Sequence, residues 1–89
     1  MKIVVNKCYG GYGLSNKALN ILGIKYEGDI ERTDPRLVKV VEADAEKASG
    51  HYAKLKVVEI PDEATDYSVD EYDGFESVIY VVDGKLHWA

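Results

Sequence analysis

The chain is short of the residues that fix small folds from outside the core. Among 89 residues it has one cysteine, two prolines, one methionine, one phenylalanine and one tryptophan. A single cysteine excludes an intramolecular disulfide and a multi-cysteine zinc site, so a reducing cytoplasm is the expected setting. Long apolar runs are also missing. The longest uncharged apolar run spans only a few residues, against the roughly 20 that a membrane helix needs. No charged and apolar leader pattern opens the chain, so a cleaved signal peptide is not expected. Positive charge is the scarcer sign, with 11 Lys and Arg against 16 Asp and Glu and a net charge of −5. That balance argues against broad nucleic-acid binding, which needs a basic face. Nucleotide motifs of the G-x-x-x-x-G-K-[ST] and G-x-G-x-x-G types do not occur. Asp70, Glu71 and Asp73 cluster without calcium-loop spacing, and neither His51 nor His87 has an i,i+4 partner. Neither a metal nor a cofactor is expected.

What is present is enough for one small core. The composition is 46% hydrophobic and 30% charged, too apolar for a disordered chain and too short for two cores. The charge is unevenly spread. Residues 1–61 carry ten of the basic residues and eight acids, a balance of +2. Residues 62–89 carry eight acids and only Lys85, a balance of −7. An anion therefore meets less repulsion in the first two-thirds. The acidic third reads either as solvated strand faces and loop tips or as a face that docks a basic protein surface or imitates nucleic acid.

Residues 2–7 read as a strand covered on both faces, because Ile3, Val4 and Val5 are consecutive and β-branched. Ser15 is placed to cap a helix that Gly23 ends, with Leu14 and Leu19 as a hydrophobic staple. Ala18, Leu19, Ile21 and Leu22 are assigned to its buried side. Residues 24–27 suggest a short extended piece and residues 28–33 a loop. Asp34 and Pro35 open a second helix, in which Leu37, Val38, Val41, Ala45 and Ala48 form one stripe up to Gly50. Residues 54–60 alternate as a strand. Residues 67–72, 75–82 and 85–88 read as three more, joined by the hairpin signals Asp73-Gly74 and Asp83-Gly84. The pattern predicts a single α+β domain over residues 1–89, with a mixed or antiparallel sheet of about five strands and two helices on one face.

Three features invite chemistry. Gly10, Gly11 and Gly13 lie between a strand and a capped helix, an arrangement whose N–H groups can converge on a phosphate. A tight turn packing strand on helix is the competing reading. Tyr9 and Tyr12 flank the glycines and can stack on a base. Arg32 and Arg36, the only arginines, bracket the second helix start. Their guanidinium forks suit phosphate, and an ion pair to Asp29, Glu31 or the acidic third is the alternative. Cys8 precedes the loop, yet nothing marks either histidine as its base, so no catalytic residue is assigned and the protein is expected not to be an enzyme.

The stretch Lys2-Ile3-Val4-Val5-Asn6-Lys7-Cys8-Tyr9-Gly10-Gly11-Tyr12-Gly13-Leu14-Ser15 resembles the N-terminus of a family of small proteins of tailed bacteriophages. Arg32-Thr33-Asp34-Pro35-Arg36-Leu37-Val38, residues 53–62 and Glu71-Tyr72-Asp73-Gly74-Phe75-Glu76 extend the resemblance over most of the chain. It implies a phage protein acting in the host cytoplasm, and counter-defence is a common task of such proteins. One such task is sequestering a phosphorylated, nucleotide-type immune signal in a homo-oligomer. Tyr9, Gly10, Gly11, Tyr12, Gly13, Ser15, Arg32 and Arg36 are the candidate ligand-binding residues. The other is inhibiting a host defence protein through the acidic residues 62–89.

Overall fold

The computed structural model describes residues 1–89. In chain order the elements are β1 (Lys2–Asn6), α1 (Asn16–Leu22), a 3-10 turn (Glu27–Asp29), α2 (Pro35–Ala43), α3 (Ala45–Ala48), β2 (Leu55–Glu59), β3 (Asp66–Tyr72), β4 (Phe75–Val82) and β5 (Lys85–Trp88). This is the small α+β domain with five strands that the patterning predicts. The strands are all antiparallel and divide between a β1–β2 ribbon and a β3-β4-β5 meander.

The division follows from how the outer edge of β1 is satisfied. Strand donors left unpaired in a protein interior must find other acceptors. The Val4 N–H donates to the Arg32 carbonyl at 2.9 Å, and the Asn6 N–H donates to Glu76 Oε1 at 2.8 Å. A loop carbonyl and a carboxylate thus stand where a third strand would pair.

The ribbon separates two apolar clusters. Val4 and Leu55 pack toward the helices, among Ala18, Leu22, Leu37 and Val41. Ile3, Val5 and Val58 pack on the opposite side against Val78 of β4. Consecutive apolar residues in β1 are therefore needed, since both of its faces are dry.

The helices start as the sequence indicates. Ser15 Oγ accepts from the Ala18 N–H at 3.1 Å, and Gly23 takes the left-handed conformation at φ 69°. Asp34 caps α2 by accepting from the Arg36 N–H at 2.9 Å.

The structure corrects three expectations. The second helix is not continuous to Gly50 but breaks at Asp44, which has φ −164° and ψ 91°. The Asp44 carboxylate accepts from the Lys47 N–H at 3.1 Å, so one residue ends α2 and caps α3. The apolar stripe continues across the break, which hid it from a periodicity argument. Residues 24–27 form no strand: Tyr26 is extended, but it leads straight into the 3-10 turn from Glu27, which the Asp29 N–H closes onto the Tyr26 carbonyl at 3.0 Å. Ile21 is 62% exposed rather than buried.

Candidate functional site

The glycine loop is a junction between three parts of the chain. A Cβ on Gly10 would overlap the Tyr52 carbonyl oxygen, so only glycine allows that approach. Gly13 lies against Gly50, whose N–H donates to its carbonyl at 2.9 Å. The loop also meets the β3–β4 turn. Gly74 has φ +91°, and a Cβ there would lie 2.6 Å from the Tyr9 carbonyl oxygen. The glycines bring backbone against backbone.

Beneath the loop lies a polar network. Asn6 is fully buried. Its Nδ2 donates to the Cys8 and Gly74 carbonyls at 2.8 and 2.7 Å, and its Oδ1 accepts from the Lys54 N–H at 2.7 Å. The single S–H of Cys8 has two acceptors within reach, the Tyr52 carbonyl at 3.1 Å and Asn6 Oδ1 at 3.3 Å. Its partners are thus oxygens, and neither can act as a general base. Glu76, only 5% exposed, receives Arg32 in a two-pronged ion pair at 2.7 and 2.9 Å. Arg32 Nη1 also donates to the Val4 carbonyl at 3.1 Å. The guanidinium lies over the Tyr12 ring, 3.4 Å from its centroid. The Tyr12 hydroxyl is buried without a hydrogen-bond partner. Burial pushes its pKa up to about 12, against the opposing pull of the Arg32 charge.

The eight candidate residues are therefore not gathered into one site. Arg32 and Tyr12 stack on each other and tie the loops around β1 to Glu76. Ser15 is occupied as well, since its hydroxyl donates to the Lys47 carbonyl at 2.7 Å while capping α1. Tyr9 is exposed and rests on Phe75, with ring centroids 5.4 Å apart. Tyr9 and Gly10 form a tight turn that brings the Gly11 N–H back toward the Cys8 carbonyl, while the N–H groups of Tyr9, Gly10, Tyr12, Gly13 and Leu14 make no hydrogen bond within the protein. An anion at Gly13 would nonetheless face the Glu27 carboxylate, whose Oε1 lies 3.4 Å from the position of a Gly13 Cβ. Arg36 sits apart, pairing with Asp34 at 3.1 Å. That pairing raises the Arg36 pKa and lowers that of Asp34.

Arg36 belongs instead to a cleft of about 580 Å³ between α1, α2 and α3. Its floor is aliphatic, with Ile21 and Leu22 from α1 and Val40 and Ala43 from α2. Lys17, Arg36, Lys39 and Lys47 stand around it, with Asp44 as the one acid. The three lysines make no ion pair. Four cations from three helices thus share one concave surface in a protein of net charge −5.

The cleft went unseen in the sequence because its cations are spread over 31 positions and no motif joins them. The signal available was Lys39 and Lys47, which fall outside the apolar stripe of the second helix.

No cluster of three or more His, Cys, Asp or Glu side chains could hold a metal ion, and no helix is long and apolar enough to cross a membrane. Comparison with protein-family models, curated proteins and solved structures finds no match to this chain.

Proposed function

We propose that the protein binds a small phosphorylated ligand in the cleft between α1, α2 and α3, without catalysing its conversion. The observation that carries this reading is the set of four cations, three of them unpaired, around an aliphatic floor. A concave apolar surface with a few convergent charges is the usual form of a small-molecule site. Lys and Arg together supply the point charge and the planar fork that phosphate oxygens accept from. In the phage setting implied by the resemblance, the ligand is a nucleotide-type immune signal and binding sequesters it. Thermal-shift titration with nucleoside phosphates and cyclic nucleotides tests the reading, since a ligand selective for the native state raises the melting temperature. Stabilisation that disappears in Lys39→Glu/Lys47→Glu is the expected result. The absence of any shift at millimolar concentrations of every such ligand would refute it.

The outer face of the meander supports a second reading. Tyr72, Leu86 and Trp88 are exposed there beside Asp66 and Asp70. In this reading the face docks a basic surface of a host defence protein and inhibits it. Charge reversal at Asp66 and Asp70 should then abolish inhibition, and inhibition that survives it counts against the face.

A further inference from the structure

The meander has one dry face and one bare face. Val78 is fully buried against β1, so Ile79 and Val81 of β4 point the other way. Strand register sets Trp88 beside Ile79 and Leu86 beside Val81. Leu86 and Trp88 are 59% and 63% exposed, and Ile79 and Val81 beside them are half-buried. Asp66 and Asp70 of β3 share the same face, through their pairing with Val81 and Ser77.

We infer that this face docks into the helical cleft of a second copy, with Trp88 as the anchor. The two surfaces are complementary in both respects that matter. The face offers a protruding indole beside carboxylates, and the cleft offers an aliphatic hollow ringed by ammonium and guanidinium groups. Two outer faces stacked on each other would add no opposite charge, since each carries Asp66 and Asp70. Nor can one chain satisfy itself. The helices cover the Val4 side of the β1–β2 ribbon, and the meander covers the Ile3 and Val5 side. The contact is therefore head-to-tail, and it builds a ring or a filament according to whether the rotation closes. The inference goes beyond ligand binding: a neighbour and a small anion exclude each other from the cleft, so its test uses ligand-free protein.

Trp88 is the only tryptophan, so its fluorescence reports on this contact alone. Light scattering and Trp88 emission are followed across a concentration series at low salt. Mass should rise and emission should shift to the blue together. Both should reverse in about 1 M salt, where the Debye length falls to about 3 Å. Trp88→Ala and Lys39→Glu/Lys47→Glu change exposed side chains, and circular dichroism checks that both fold. Each alone should stay monomeric. Mixed, they should form a 1:1 complex, because each supplies the surface the other lacks. A wild type that stays monomeric with unshifted emission overturns the inference and leaves the face to a foreign partner. Self-association of Lys39→Glu/Lys47→Glu, or no complex in the mixture, overturns it too.

Discussion

Glu76 and Tyr12 show how single residues that look like surface chemistry become structural. Glu76 accepts from the Asn6 N–H and from both terminal nitrogens of Arg32. Removing one partner of a buried pair leaves the other charge without compensation, which costs far more than the intact pair contributes. Glu76→Ala should lower the unfolding free energy by about 3 kcal/mol in urea denaturation. A loss below about 1 kcal/mol would mean that solvent already screens the pair. Tyr12 behaves in the opposite sense. Its orphaned hydroxyl carries a desolvation cost, so Tyr12→Phe should raise stability by about 1 kcal/mol at neutral pH.

The same substitution exposes a pH dependence. The unfolded chain loses the Tyr12 proton near pH 10 and the folded chain near pH 12. Between those values the unfolded state binds fewer protons, so stability falls as pH rises. Below pH 10 the contribution of the neutral ring is whole. The urea midpoint of the native protein should therefore drop between pH 10 and 12 relative to Tyr12→Phe, and parallel curves would contradict the buried placement. The sequence named Arg32 and Tyr12 as notable and named the acidic third as a possible ion-pair partner for Arg32. It gave no sign of Glu76 in particular, because that contact spans 44 positions and depends on how the meander packs on β1.

At the scale of elements, the readable parts were those fixed by neighbours in sequence. The Ser15 and Asp34 caps, the Gly23 stop and the Asp73-Gly74 and Asp83-Gly84 turns depend on a few adjacent residues, and each stands where its chemistry indicates. The break at Asp44 was hidden because the stripe Leu37, Val38, Val41 and Ala48 keeps one face buried on both sides of it. The division of five strands into two sheets was hidden for a related reason. Alternation tells which face a residue takes, but not that Arg32 and Glu76 occupy the edge of β1. The β3–β4 turn is where two elements and the glycine loop meet. Gly74→Ala must strain a positive φ and crowd Tyr9 and Gly11, so it should cost about 2 kcal/mol. The comparable change in the other turn is Gly84→Ala, where a Cβ meets nothing within 4 Å. It should cost only the positive φ, and equal losses at the two sites would show that the loop does not rest on Gly74.

For the whole molecule, the net charge conceals a polarity that runs through the fold. The β1–β2 ribbon puts a cationic cleft on one side and an acidic, partly apolar sheet face on the other. The division into a slightly basic and a strongly acidic part was legible from the sequence. Its placement was not, since the cleft draws on three helices and leaves the glycine loop outside. The proposed anion site accordingly lies at α1–α3, and Gly10 and Gly13 serve close backbone packing.

Amide chemical-shift mapping separates those two locations most directly. With the isotopically labelled protein titrated with a nucleoside polyphosphate in high dilution, shifts should concentrate at Lys17, Ile21, Lys39, Val40 and Lys47. Residues 9–14 should stay in place. Saturable shifts confined to residues 9–14, with the helical cleft unmoved, would contradict the account.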